Sequence, residues 1–202
     1  NKFLNETIEI QNGQGVDVTF QGEICFENVS LIYPESQIKA LDGISLRVKR
    51  GKSLGIIGKV GSGKSSILAL INRLYDPDFG KVSLDGQNIK DYKLENLRMH
   101  IGNVTQNAFL FSESIEDNIK LGKQNANEEE IIQAAKKASI HKNVTEFKQG
   151  YKTLLGERGL TLSGGQIQRL SIARALIKDP KILLLDDCLS AVDTDTEEKI
   201  LK

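Results

Sequence analysis

A glycine-rich segment that ends in lysine and serine restricts the folds open to this chain more than any other feature. Residues 58–65 read GKVGSGKS and match GxxxxGK[ST], between an apolar run at 53–58 and helix-spaced apolar residues from 65 to 74. Glycines allow a tight turn whose backbone N–H groups, with a helix N-terminus, bind phosphate. A chance match is expected about once in a hundred chains of this length. The pattern predicts a buried strand, a phosphate loop and a helix, with nucleotide contacts from Gly58, Lys59, Val60, Gly61, Ser62, Gly63, Lys64, Ser65 and Ser66.

A second aliphatic segment ends in two acidic residues. Residues 181–186 read KILLLD, which predicts a buried strand with Asp186 at its carboxyl end. Carboxylate and hydroxyl oxygens are the ligands that Mg²⁺ prefers, and Mg²⁺ accompanies nucleotide phosphates. We therefore expect Asp186 and the Ser65 hydroxyl to bind Mg²⁺, and Lys64 to contact the β- and γ-phosphates.

The length and the charge of the chain exclude several classes of protein. Its 202 residues carry 27 Lys+Arg and 27 Asp+Glu, a balance that suits one domain and argues against a nucleic-acid partner. The longest aliphatic run, Ile182–Leu185, is far shorter than the ~20 residues of a membrane-spanning helix. Cys25 and Cys188 lack the spacing of a metal site, so both are expected to be reduced, packed thiols of a cytosolic protein.

Periodicity predicts the remaining strands and helices. Polar and apolar residues alternate at 23–29 and 44–48, as in half-buried antiparallel strands, and DGQ at 85–87 indicates a hairpin turn. Helices are predicted from Asn127 to about residue 140 and over residues 166–177.

The order of these elements indicates an α/β fold. Strands and helices alternate at both ends of the chain, and a mostly helical lobe is predicted at about residues 107–162. Residues 1–20 read as a polar lead-in with a flexible joint at 12–15.

A second glycine-lined motif precedes the helix at 166–177. Residues 162–166 read LSGGQ, which predicts another anion-binding helix N-terminus. With this motif, the chain from about Gly22 onward resembles the nucleotide-binding domain of an ATP-binding cassette (ABC) transporter. The resemblance implies a P-loop NTPase (RecA-like) core with an antiparallel β-subdomain and an inserted α-helical subdomain. It also implies ATP and Mg²⁺ as ligands, with ATP contacts from Ser163, Gly164, Gly165 and Gln166.

Other positions take their expected roles from the same resemblance. Tyr33 matches the family's aromatic residue that stacks on adenine. Gln106 matches the glutamine that contacts Mg²⁺ or the lytic water, which makes it a candidate catalytic, ATP-binding and metal-binding residue. The sequence SAVD at 190–193 resembles the loop that pairs across the family's dimer. LGERG at 155–159 resembles the exporter segment that transmits motion to membrane helices.

The resemblance also implies an organisation and partners. YDP at 75–77 and FLFS at 109–112 favour the exporter branch. Residues 1–20 would be a linker from a transmembrane domain, fused upstream or on another chain, and 21–202 the nucleotide-binding domain at the cytoplasmic side of a membrane. Two such domains would close head to tail, with each ATP between the Lys64 loop of one and the Ser163 signature of the other.

One residue departs from the family pattern at the expected catalytic position. The family places glutamate after the metal aspartate, whereas this chain has Asp187, whose side chain is one methylene shorter. Displacing a reacting group by about an ångström can cost on the order of a hundredfold in rate. We expect a weak or degenerate hydrolysis site and favour a heterodimer whose partner carries the competent site. The alternative is a small backbone shift that keeps Asp187 as the catalytic base.

The end of the sequence is a second departure. The family's histidine lies some tens of residues after the metal aspartate, beyond Lys202, so the domain looks truncated and the isolated fragment is expected to hydrolyse ATP slowly. His100 and His141 do not match that position and are expected to pack at the surface or within the helical lobe. Two other functions stay open: a soluble ABC ATPase of translation or DNA repair, and an ATP-dependent dimerisation module with negligible hydrolysis.

Overall fold

The computed structural model of the protein describes residues 10–13, 15, 20–156 and 162–201. The chain divides into two compact units, residues 1–98 and 99–202. The strands are β1 (Ile24–Ile32), β2 (Lys39–Val48), β3 (Phe79–Leu84), β4 (Gln87–Asn88), β5 (Ile101–Val104) and β6 (Ile182–Leu185). The α-helices are α1 (Lys64–Ile71), α2 (Leu94–Met99), α3 (Ile115–Lys120), α4 (Glu128–Lys137), α5 (His141–Glu146), α6 (Gly164–Leu176) and α7 (Thr194–Leu201).

The first unit contains an antiparallel sheet in the order β2-β1-β3-β4. Ile24 of β1 lies opposite Val48 of β2 and Leu84 of β3, which confirms the predicted antiparallel strands. Asp85 and Gly86 form the predicted hairpin turn with φ values of 50° and 81°, the left-handed backbone that a two-residue hairpin of this type needs.

The residues before the phosphate loop do not form the predicted strand. Residues 52–59 have no regular secondary structure, and the side chains of Leu54 and Ile57 are 50% and 99% exposed. A strand needs a neighbouring strand to pair with its backbone, and one that is apolar on both faces needs cover on both. Among the described residues, no strand pairs with this segment, in which Ile56 is half-buried while Leu54 and Ile57 are exposed. The helix that follows is present as predicted, as α1.

The described part of the lead-in lies on the first unit. Arg73 Nη2 donates to the Gln11 carbonyl oxygen at 2.7 Å, and the Asn12 side chain accepts the Leu94 N–H at 2.9 Å. Gly13 packs so closely on the backbone of Asp91 that a Cβ would lie 2.4 Å from its carbonyl carbon. At the described residues the lead-in is therefore bonded to the first unit, and the flexibility of the joint at 12–15 stays a prediction.

The second unit is built on a parallel pair of strands. Val104 of β5 lies opposite Leu185 of β6, and α6 packs on this pair with Ile172 and Ala173 fully buried. The predicted strand at 181–186 and the predicted helix at 166–177 are thus confirmed. Parallel neighbours bring their carboxyl ends to one edge of the sheet, where ligands of open α/β sheets bind.

The segment predicted to be helical contains three α-helices, α3 to α5, and a short 3-10 helix (Gly150–Lys152) in the described residues. Asn127 caps α4 and shares a capping box with Glu130, as its sequence predicts. The helix ends earlier than expected because Ser139 adopts a φ of 54°, after which α5 begins. Arg174 links α6 to α3, because its Nε donates to the Asn118 carbonyl oxygen at 2.9 Å. The boundaries of an inserted subdomain at 107–162 remain a prediction.

The two cysteines differ in burial: Cys188 is buried, whereas Cys25 is half-buried. Cys25 and Cys188 are both free thiols. Of the helices in the described residues, none combines the length and the apolar character needed to span a bilayer.

Candidate functional site

The phosphate loop takes a shape that only glycine permits. Gly61 and Gly63 have φ values of 79° and 85°, in the left-handed region. A Cβ on Gly63 would lie 2.4 Å from the Ala40 carbonyl oxygen and 2.9 Å from Leu41 Cδ2. Gly63 caps α1 with no side-chain hydrogen bond, so backbone N–H groups of the first helical turn remain available to an anion.

Lys64 holds its ammonium group over this loop. Its Nζ donates to the carbonyl oxygens of Gly58 and Lys59, both at 2.9 Å. An ammonium group has three donors, and a phosphate is a stronger acceptor than a neutral carbonyl. The neighbouring Ser65 is exposed, and its hydroxyl suits a Mg²⁺ ligand. Glycine backbone, lysine and hydroxyl therefore fit a nucleotide's phosphates with Mg²⁺.

The predicted adenine-stacking residue is attached to the same helix. The Tyr33 hydroxyl forms a 2.8 Å hydrogen bond with Ser66 Oγ, and the Tyr33 ring meets that of Tyr75 edge-on at 5.1 Å. Ser66 is buried, and its hydroxyl supports Tyr33. Contact of Ser66 with a nucleotide stays a prediction, as does stacking by Tyr33. The bond between the two side chains fixes the aromatic ring relative to the phosphate helix.

The second unit brings two expected catalytic residues together. Gln106 follows β5 and donates from Nε2 to Asp187 Oδ2 at 3.1 Å. Asp187 has a φ of 46°, a region in which the short side chain of aspartate is tolerated better than most. Asp186 follows β6 directly and is half-buried, with its N–H bonded to the Val104 carbonyl oxygen at 2.9 Å. Its carboxylate is a suitable Mg²⁺ ligand at the carboxyl end of the strand.

The LSGGQ residues form the N-terminus of α6. Ser163 Oγ accepts the Gln166 N–H at 3.3 Å, and Gln166 Oε1 accepts the Ser163 N–H at 2.9 Å. This reciprocal capping box fixes both side chains. Gly164 is exposed and Gly165 half-buried, and the positive end of a thirteen-residue helix lies behind them.

The contact that Gln168 makes was not predicted from the sequence. Its side chain is buried, and both polar atoms of its amide bond the 190–193 loop. Oε1 accepts the Ala191 N–H at 3.0 Å, and Nε2 donates to Ser190 Oγ at 3.3 Å. A signal was present, because a polar residue three positions after Gly165 lies on the same side of the helix. Its partner could not be read from the sequence, because the contact joins segments more than twenty residues apart.

The 190–193 loop is also held at its last residue. Asp193 Oδ1 accepts the Thr196 N–H at 2.9 Å. This bond is the main reason why the pKa of Asp193 lies below its ordinary value, and the positive charge of Arg169 lowers it further. Asp193 thus stays ionised at the start of α7, where a negative charge favours the helix.

The predicted site residues fall into two groups. Tyr33 and residues 58–66 belong to the first unit, whereas Gln106, residues 163–166, Asp186 and Asp187 belong to the second.

Two further sequence-based predictions concern the exporter-type segment and the two histidines. Glu157, Arg158 and Gly159 of the exporter-type segment lie outside the described residues. His141 packs in the helical region, where its Nδ1 is 2.8 Å from the Tyr151 hydroxyl, and His100 is half-buried, as expected. Burial raises the pKa of Tyr151 to about 12, so this hydroxyl remains protonated at neutral pH.

Comparison with known proteins identifies the family. A family profile described as ABC transporter matches residues 41–190. The Arabidopsis thaliana protein "ABC transporter B family member 24, mitochondrial" is 50% identical over 208 residues, covering 100% of this chain and 30% of that protein. "ABC transporter B family member 2" of Dictyostelium discoideum is 45% identical over 186 residues, covering 92% of this chain and 13% of that protein.

A solved structure agrees with these relatives. The structure of a bacterial Atm1-family ABC exporter with ATP bound matches 99% of this chain with a TM-score of 0.93 and 39% sequence identity. The chain spans 35% of that protein, about a third of its length. The profile match, the relatives and this structural likeness agree with the phosphate loop and the signature described above. The chain therefore belongs to the ABC transporter family and has the P-loop NTPase fold of an ABC exporter's ATPase domain.

Proposed function

We propose that this chain binds Mg²⁺-ATP and hydrolyses it to power the export of a substrate across a membrane. The observation that carries the proposal is the phosphate loop, in which Lys64 lies over the glycine backbone at an uncapped helix N-terminus. The LSGGQ motif on the same chain supports an ABC mechanism over that of other phosphate-loop proteins. The names of the relatives support an exporter over a soluble ABC ATPase.

In the proposed mechanism, two such domains bind ATP head to tail. The phosphate loop of one domain neutralises phosphate charge from one side, and the glycine-lined N-terminus of the partner's signature helix does so from the other. Bound ATP thereby favours the closed dimer, and hydrolysis removes that preference. An attached transmembrane domain would follow this opening and closing, with the ATPase domains on the cytoplasmic side.

We further propose that Asp187 makes the hydrolysis site of this chain weak and that its partner is a different chain. Asp187 is exposed, and its carboxylate already accepts a hydrogen bond from Gln106. Its side chain also reaches less far than the family's glutamate would. The signature at Ser163 is intact, so this chain would still complete a competent site on its partner.

Nucleotide binding is tested by removing the ammonium group of Lys64. In the full-length protein, Lys64→Ala should weaken Mg²⁺-ATP binding at least about tenfold, since a hydrogen bond to a charged group contributes about 1.5–3 kcal/mol. Isothermal titration calorimetry measures the Kd. Lys52→Ala removes an exposed lysine shortly before the loop and serves as the matched control. Equal affinities of both variants would contradict the proposed phosphate site.

The weak site is tested in the full transporter with its natural partner. Asp187→Asn should leave phosphate release nearly unchanged, whereas Asp187→Glu should raise it by lengthening the side chain. Ser163→Ala should remove most of the turnover, because it damages the partner's site. If Asp187→Asn abolishes turnover while Ser163→Ala preserves it, the weak-site proposal is wrong. ATP-dependent dimerisation without phosphate release would instead indicate a nucleotide-operated binding module.

A further inference from the structure

One side of helix α6 faces the 190–193 loop. Gly165 is so close to the loop that a Cβ would lie 2.5 Å from the Ala191 carbonyl oxygen. Gln168 bonds Ser190 and Ala191, and both residues lie on the same helical face, three positions apart. The signature helix and the loop are therefore in direct contact without any intervening element.

The Gln168 amide is the polar centre of this contact. The residue is 8% exposed. Its carbonyl oxygen and its nitrogen each have a partner in the loop, so removing the amide would leave the Ala191 N–H without its bond. Leaving a buried donor unpaired costs more than a hydrogen bond gains. The amide therefore fixes the position of the loop backbone relative to α6.

The same bonds continue to the end of β6. Ser190 Oγ, which accepts from Gln168, donates to the Asp187 carbonyl oxygen at 3.2 Å. Asp187 holds its left-handed backbone at this point, and its carboxylate bonds Gln106. A continuous path of side-chain bonds thus leads from the signature helix to the residue at the expected catalytic position.

We propose that Gln168 is a positioning residue that makes the signature helix and Asp187 move as one rigid body. Gln168 is buried against the 190–193 loop, and it acts through Ser190 and the Asp187 backbone. The role rests on the proposed function, because it links a signature that contacts the partner's ATP to the hydrolysis site of this chain. A displacement of the helix at one ATP is thereby passed to the other site.

The test compares Gln168→Met with wild type in the full transporter. Methionine keeps the length of the side chain and removes both hydrogen bonds. We expect kcat for ATP to fall by about tenfold to a hundredfold, because the signature residues that complete the partner's competent site shift while the phosphate loop is intact, and KM to stay within about twofold. Gln168→Glu keeps the acceptor for the Ala191 N–H and should recover part of kcat. Gln133→Met, an exposed glutamine on α4, is the matched control and should resemble wild type.

Two further measurements separate positioning from a general loss of stability. Amide hydrogen exchange at Ala191 should be faster in Gln168→Met than in wild type or in Gln133→Met. Ser190→Ala should lower kcat by itself but add little in the Gln168→Met background, since both substitutions break the same path. Additive losses, or a folded Gln168→Met with wild-type kcat, would overturn the positioning role. A wild-type protein that fails to bind ATP would overturn the proposed function instead.

Discussion

Cys188 comes directly after the two aspartates that follow β6, and its thiol is buried. It is 1% exposed, and burial is the main reason why its pKa rises from 9.0 to about 11, with further contributions from the charges of Asp186 and Asp187. The thiolate is the reactive form of cysteine. A buried, protonated thiol should therefore react slowly even next to a proposed catalytic residue.

We predict that iodoacetamide at pH 8 modifies Cys25, which is half-buried, much faster than Cys188. Peptide mass mapping over time measures both rates. Because the folded protein holds the Cys188 proton more tightly than the unfolded chain, this thiol favours folding below about pH 9. That contribution is lost as the pH rises towards about 11. Equal alkylation rates at pH 8 would contradict the burial of Cys188.

Residues differ in how well the sequence predicts their position and their contacts. Lys64 and Ser163 belong to motifs in which residue type and spacing define the chemistry. Their placement at helix N-termini can therefore be predicted from the neighbouring sequence alone. Gln168 and the bond between Tyr33 and Ser66 depend on contacts that join distant segments. Local periodicity carries no information about such contacts.

At the scale of elements, the N-terminus of α6 has two properties that can be separated by substitution. The Ser163 hydroxyl accepts the Gln166 N–H and still has a proton to donate to an anion. An aspartate caps a helix as well as serine does, but it has no proton to donate and it repels phosphate.

Ser163→Asp should therefore keep the stability of the chain while abolishing ATP-dependent dimerisation. Ser163→Ala should lower the free energy of unfolding by about 1 kcal/mol through loss of the cap. Urea unfolding and size-exclusion chromatography with Mg²⁺-ATP measure the two effects. Dimerisation of Ser163→Asp at wild-type ATP concentrations would refute an anion site at this helix.

The start of α1 allows a similar comparison between two glycines. Gly63 and Gly51 both have positive φ, 85° and 66°, but only Gly63 faces the Ala40 carbonyl at a distance that excludes a Cβ. Gly51→Ala should cost about 1–2 kcal/mol for the left-handed backbone alone. Gly63→Ala should cost clearly more, because the loop must also move. Chemical denaturation gives both values, and equal losses would contradict the packing of Gly63.

The elements show where sequence reasoning fails for physical reasons. Amphipathic strands and capped helices such as α4 satisfy their backbone within one unit, and their patterns predicted them correctly. The apolar residues 53–58 match a buried strand, but such a strand needs a neighbouring strand to pair with and other elements that cover both of its faces. The apolar pattern of residues 53–58 indicates that the segment needs neighbouring elements, but it does not indicate which elements these are.

At the scale of the whole molecule, charge balance and exposed apolar groups act together. The formal net charge is zero with a pI near 6.9, and the side chains of Ile57 and Val60 are fully exposed. Without net repulsion between molecules, such side chains favour association. We predict a solubility minimum of the 202-residue chain near pH 7 and a clear rise at pH 8.5. Precipitation by polyethylene glycol measures it, and equal solubility at both pH values would disprove the argument.

The contact between the N-terminal lead-in and Arg73 provides a route for mechanical force. Arg73 immediately follows the cap of α1, and its guanidinium holds the carbonyl of Gln11. Among the described residues of the lead-in, Gln11 precedes Asn12 and Gly13, which also contact the first unit. Tension transmitted to residue 10 would therefore load the Arg73 bond before those contacts. The guanidinium of Arg73 thus links a pull on the N-terminal segment to the far end of the phosphate helix.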